Sequence, residues 1–257
     1  MESNTFNLNK LKRKYRKKKQ RQKFIKILFI ISIIILFISI PIIKSINEKN
    51  TISARFMLTS NNELPQKKFT ICIDPGHGDW DIGATGATGT YEKDIVLAIS
   101  LKLGKLLEDN KIKVIYTRAD DLIPWVDTAN DSLKERLQIS KISNADLFLS
   151  IHCNSSNNIN TRGVETWYNP VKPESKYFSS LLQTELAHLD YTSNRGLKTY
   201  VENEELAVLE LNNTVASLVE LGFITNIIDE SFLISEEGQK KCAQALFTAI
   251  VNYLNEL

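Results

Sequence analysis

The sequence predicts an α/β domain with a mostly parallel twisted sheet flanked by helices, preceded by an N-terminal transmembrane helix. Three observations predict it. From about residue 68 onward, short and nearly continuous apolar runs alternate with stretches of helical periodicity, the pattern of strands covered on both faces by helices. Near the N-terminus, residues 27–43 form a run of 17 without a charge. Charge is also divided unevenly. Residues 1–44 hold 12 of the 32 Lys and Arg but one of the 30 Asp and Glu, so the remainder carries −9 although the whole chain carries +2.

The first segment, 1–26, is basic and is expected in the cytoplasm. Lys10 to Lys26 contains 11 Lys and Arg. Alone such a run suits nucleic acid, but an apolar span follows at once, and positive charge beside a first membrane helix stays cytoplasmic. A nucleic-acid partner is therefore not expected. Residues 27–43 read as a signal-anchor helix: at about 1.5 Å per residue, 17 residues nearly cross a hydrocarbon core about 30 Å thick. A cleaved signal peptide is the competing reading, but the run is long for one and no small-x-small site follows it. Residues 44–67, rich in Asn, Ser, Glu and Lys, read as a linker to a folded catalytic domain, 68–257. The protein is then expected in the cell membrane as a single-pass chain with its domain outside.

Residues 69–73 (Phe-Thr-Ile-Cys-Ile) read as a buried strand that must break into a loop at Asp74-Pro75-Gly76-His77-Gly78. A glycine-containing loop, 79–91, leads to Glu92, which opens a helix with Ile95, Val96, Ile99 and Leu103 on one side. Residues 111–117 form an alternating strand, 118–131 a polar loop and 133–142 a helix. Residues 146–151 form a second apolar strand ending at His152. Another strand is expected at 163–168, a helix at 177–189, a strand at 215–221 that carries Glu220, and a closing helix at 236–254.

Ligands of such sheets gather at the carboxyl ends of strands. His77, His152 and Glu220 all fall there, and Glu92 lies in the first turn of the helix after His77. Two His and one Glu make a zinc set with one coordination position open, an arrangement suited to catalysis. Glu220, a carboxylate in an apolar strand, is the candidate general base, and a salt-bridged strand-end residue is the plainer reading of it. Among other carboxylates, Glu165 is expected to face solvent. Asp74 is expected to brace the loop or a ligand histidine, and Asp79 and Asp81 to touch substrate or solvate the turn. The three cysteines, Cys72, Cys153 and Cys242, form no CxxC pair and read as buried thiols; nothing marks Cys153 as an activated nucleophile. His188 has no metal-binding partner at i±4 and reads as structural or surface.

The sequence resembles the zinc-dependent N-acetylmuramoyl-L-alanine amidases, the amidase type 3 family, from about Thr70 to Leu254. The first block is 73–78 with Gly83-Ala84 and Glu92-Lys93-Asp94. The second is Thr117-Arg118, Glu135-Arg136 and 145–154, and the third is Arg195-Gly196-Leu197-Lys198. The last is 218–226 with Asp229-Glu230. The resemblance implies that His77, Glu92 and His152 bind zinc and that Glu220 is the catalytic carboxylate. It also implies a substrate, peptidoglycan, cleaved at the amide between N-acetylmuramic acid and L-alanine of the stem peptide.

Two departures bear on loop shape and substrate preference. Asp79-Trp80 stands where the family usually has a second Gly, and Asn213-Thr214 where a Pro often precedes the last strand. No long insertion reads as an autoinhibitory helix and no cell-wall-binding repeat is present. An anchor with a bare catalytic domain resembles the sporulation amidases that prepare cortex peptidoglycan. Two other functions stay open on the sequence: a non-catalytic peptidoglycan-binding scaffold on the same fold, and a zinc peptidase acting on the stem peptide. The sequence identifies no activator protein.

Overall fold

The structure, a computed structural model, describes residues 68–123, 128–200 and 206–257. The expected basic segment 1–26, anchor helix 27–43 and linker 44–67 lie outside the described residues. Among the described residues no helix is long and apolar enough to cross a membrane.

The described strands are β1 (Thr70–Pro75), β2 (Lys113–Tyr116), β3 (Leu147–Asn154), β4 (Val164–Tyr168), β5 (Asn194–Lys198) and β6 (Val215–Phe223). They form one sheet in the order β2-β1-β3-β6-β4-β5. The helices are α1 (Glu92–Asp109), α2 (Ala129–Ser143), α3 (Pro173–Ala187), α4 (Ala207–Glu210), α5 (Ile227–Leu233) and α6 (Glu236–Leu254).

Four pairings are parallel, but β4 pairs with β6 antiparallel, so the sheet is mixed and β4 and β5 run against the other four strands. The reason lies in the chain. Nine residues, 155–163, join β3 to β4, fewer than the dozen or so a parallel crossover needs. Strand β4 therefore starts at the edge where β3 stops and runs back.

Apolar continuity explains the three central strands. Ile71, Ile73, Leu147, Leu149 and Ile151 are fully buried on one face, against Val96, Ile99, Leu103, Leu182, Leu246 and Ile250 of α1, α3 and α6. The alternate residues Cys72, Phe148 and Leu218 belong to a smaller cluster with Leu209 of α4. Helix starts are set by side-chain caps: Thr128 accepts from Asp131 N, Asn226 from Ile228 N and Asp229 N, and Ser235 from Gly238 N. Helix α3 begins four residues before the expected 177, at Pro173, where a proline costs no helical hydrogen bond.

Candidate metal centre

Strand β1 delivers the His77 loop to the carboxyl edge of the sheet, and its last residues are tied down on every side. Asp74 is fully buried. It accepts from Thr117 Oγ1 (2.7 Å), Ser150 Oγ (2.7 Å), and Arg136 Nε (2.7 Å) and Nη2 (2.5 Å). Burial would raise its carboxyl, but the Arg136 charge and these bonds outweigh that and hold it down at about 2. Arg118 donates to the carbonyls of Pro75 (3.1 Å), Gly76 (2.7 Å) and Lys93 (2.8 Å), clasping the loop to the start of α1.

The loop is shaped for close approach. Gly76 lies against the His152 ring: a Cβ there would sit 2.3 Å from His152 Cε1. Gly83, at φ +66°, would place a Cβ 2.6 Å from Glu92 Oε2 and 2.7 Å from His77 Cδ2. His77 itself has φ 62°, a left-handed conformation that costs a non-glycine residue free energy and clusters at functional sites.

Glu92, 3% exposed, is the hub. Its Oε1 lies 3.1 Å from His77 Nε2 and 3.0 Å from His152 Nδ1 and accepts from Cys153 N at 2.9 Å. Its Oε2 accepts from Ala84 N at 2.9 Å. The two imidazoles meet edge to face with centroids 4.9 Å apart. One donor atom from each of His77, Glu92 and His152 lies within 4.8 Å of the others. Burial opposes ionisation of Glu92, yet the two histidines hold its carboxyl well below the usual range. At His77 burial is outweighed by Glu92 and Asp81, and the imidazole is pushed up; at His152 burial prevails and it is pushed down.

The three residues expected to share an ion are therefore together, from three different elements, with a nitrogen and oxygen donor set that fits a divalent metal ion. His152 stands inside β3, which runs on to Asn154, and not just past the strand end as expected. The partner of a ligand histidine is not Asp74, whose bonds all go to Thr117, Ser150 and Arg136. Asp81 takes that role, with Oδ2 2.9 Å from His77 Nδ1. The available signal was an acidic residue four positions on, in a loop that turns back at Gly78 and Asp81.

Glu220 sits beside this cluster. In the sheet register it pairs with His152 on one side and Glu165 on the other, so the three side chains share a face. Its Oε2 is buried and has no hydrogen-bond partner among the described residues. Burial, reinforced by Glu92 and Glu165, pushes its carboxyl well up. Glu165 does not face solvent: it is 3% exposed, because the side chains of Asn154, Trp167 and Arg195 close around its carboxylate. Its Oε1 accepts from Asn154 Nδ2 (3.0 Å) and Trp167 Nε1 (3.2 Å), and its Oε2 from Arg195 Nε (2.6 Å).

Cys72, Cys153 and Cys242 are buried and unbridged. Burial pushes Cys72 and Cys242 up to about 12 and Cys153 well above its ordinary value, so no thiol here is an activated nucleophile. Glu230, singled out only as part of a motif, is fully buried and holds the loop before Glu92 through Thr88 N (3.0 Å), Thr88 Oγ1 (2.9 Å) and Thr90 Oγ1 (2.5 Å).

Fold and site together define an α/β domain with a centre suited to a divalent metal ion. The family comes from comparison with known proteins. The family model described as N-acetylmuramoyl-L-alanine amidase matches residues 71–252, and the chain belongs to that family. N-acetylmuramoyl-L-alanine amidase LytC of Bacillus subtilis (strain 168) is 35% identical over 186 residues, 72% of this chain and 35% of LytC. The chain thus spans about a third of that relative's length. Among solved structures, the CwlD amidase from Clostridioides difficile, in complex with the GerS lipoprotein, is 36% identical with a TM-score of 0.67. That match covers 74% of this chain and 100% of CwlD. The catalytic domain of CwlV, an N-acetylmuramoyl-L-alanine amidase from Bacillus (Paenibacillus) polymyxa var. colistinus, is 31% identical with a TM-score of 0.65, covering 73% and 98%.

Proposed function

We propose that this chain is a peptidoglycan hydrolase that cleaves the amide between the lactyl group of N-acetylmuramic acid and L-alanine of the stem peptide. His77, Glu92 and His152 would hold Zn²⁺ for the reaction. The observation that carries this reading is the convergence of those three donors beside Glu220, whose buried Oε2 has no partner among the described residues. When bound, zinc lowers the pKa of water and polarises the amide carbonyl.

The chain's own residues do the rest. Asp81 fixes the His77 ring through Nδ1, which leaves Nε2 turned to Glu92 and the site. The amides of Ala84 and Cys153 fix the Glu92 carboxylate. Glu220 accepts a proton from the attacking water and delivers it to the departing amine. A carboxylate made more basic by burial suits both transfers near neutral pH. The amide C–N bond breaks, a C–O bond forms, and the products are a lactyl carboxylate and a stem peptide with a new L-alanine amino group.

We further propose that segment 27–43 anchors the chain in the cell membrane, with 1–26 inside and the hydrolytic domain outside. The uncharged run and its flanking positive charge support this. Resistance to alkaline extraction from membranes, with the domain open to external protease, is the expected result; release into the soluble fraction refutes it. The GerS complex of CwlD makes a lipoprotein the kind of partner we would look for first.

The function is tested by incubating the full-length chain with purified muropeptides. Stem peptide with an L-alanine amino terminus, formed only in the absence of chelator, is the expected result. Cleavage inside the peptide would point to a peptidase, and binding without a product to a scaffold.

A further inference from the structure

We propose that Arg195 is a specificity residue that binds the free α-carboxylate of the stem-peptide residue following L-alanine. The inference rests on the amidase reading above and extends it to the peptide side of the substrate.

One level of the sheet carries a row of functional side chains. His152 of β3 pairs with Glu220 of β6, Glu220 with Glu165 of β4, and Glu165 with Gly196 of β5, next to Arg195. The row begins at the candidate metal centre and ends on an arginine. Three contacts fix that arginine. Its Nε donates to Glu165 Oε2 at 2.6 Å, and its guanidinium lies 4.9 Å from the Phe223 ring centroid. Its methylenes pass over Gly163, where a Cβ would lie 2.5 Å from both Cγ and Cδ.

These contacts occupy Nε and one face of the guanidinium. Its two terminal nitrogens have no hydrogen-bond partner among the described residues, and the side chain is 35% accessible. A planar guanidinium, already oriented and partly shielded from water, presents the fork that matches a carboxylate.

Position agrees with chemistry. Strands lie about 4.8 Å apart, so the backbone of Glu165, whose carboxylate holds Arg195, is about 10 Å across the sheet from that of His152. An extended peptide advances about 3.4 Å per residue. The carboxylate two residues beyond the scissile carbonyl is then about 7 Å from it, within reach of the fork. This accounts for the Arg195-Gly196 block, which the zinc site and Glu220 leave without a role. Arg195 also balances buried Glu165, so a loss of activity on mutation would not by itself establish recognition.

The test is a comparison of two substrates that differ at that carboxylate alone. These are N-acetylmuramyl-L-alanyl-D-glutamate and its α-amide, N-acetylmuramyl-L-alanyl-D-isoglutamine, both given to the full-length zinc-loaded chain. The wild type is expected to favour the acid by about 10-fold in kcat/KM, mainly through KM. Arg195→Gln should bring the ratio close to one, and Arg195→Lys should keep part of it. Equal wild-type turnover of acid and amide overturns the inference even if every variant misfolds, and it leaves the amidase reading standing. Failure of the wild type to release an amine from either substrate overturns both. A ratio unchanged in a folded Arg195→Gln chain assigns Arg195 to Glu165 alone and also overturns it.

Discussion

Replacing Asp74 by Asn tests whether the strand ends below the candidate centre are held as described. The substitution keeps the shape and removes the charge from a fully buried group that meets Arg136, Thr117 and Ser150. Asp74 has its carboxyl at about 2 in the folded chain against an ordinary 3.8, which corresponds to roughly 2 kcal/mol at neutral pH. That shift already contains the attraction to Arg136, whose side chain is 18% exposed, so the expected loss is about 2 kcal/mol. The sign follows from the direction of the shift. A depressed carboxyl stabilises fully above its unfolded value and loses that contribution as pH falls from about 4 toward about 2. The gap between wild type and Asp74→Asn should therefore be largest at pH 7 and close over that window, where protonated Asp resembles Asn. Urea unfolding followed by circular dichroism at several pH values measures it. A difference below about 1 kcal/mol at pH 7, or one that does not shrink in acid, would refute the reasoning.

Four further outcomes are expected. Glu220→Gln should lower kcat on muropeptides by about 10²- to 10⁴-fold with metal content unchanged by mass spectrometry, since Glu220 is not among the three donors. Dialysis against a chelator should abolish turnover and zinc should restore it; Glu92→Gln, which weakens the hub of the cluster, should bind zinc far less tightly in competition with a chromogenic chelator. Gly76→Ala should displace the His152 ring, since the added carbon would lie 2.3 Å from Cε1; metal affinity should fall by about 10- to 100-fold while the far-UV spectrum is kept.

Long apolar or periodic segments were legible in the sequence: the cores of β1, β3 and β6, and α6 to its ends at Glu236 and Leu254. Segments whose order comes from neighbours were not. Strand β5, Asn194–Lys198, is polar, contains a glycine and is a strand because β4 offers it an edge. Helix α5 has seven residues and owes its start to the Asn226 cap. Helix α2 begins at Ala129, before its first apolar position Leu133, because Thr128 caps it. Alternation in β4 suggested that Glu165 looks outward, but it cannot show that Asn154, Trp167 and Arg195 close over that side. The reversal of β4 was hidden in the length of a loop.

The candidate site was legible because its donors sit where strands and a helix end, and such ends show in the chain. Asp81 was ambiguous: an aspartate in a glycine-containing turn has an adequate reason to be there without a histidine partner. Asp74 invited a role at the histidine next to it and instead serves an arginine 62 positions away.

The alignment of β3 with β6 works as a vernier. Moving β6 by one residue would carry Glu220 to the opposite side of the sheet and bring an aliphatic neighbour, Val219 or Leu221, level with His152. A single inserted residue upstream in β6 would thus carry Glu220 away from the candidate centre, whereas an insertion in a connection outside the strands leaves the alignment intact. Change is freer in connections that carry none of the site than in the phase of one strand against another.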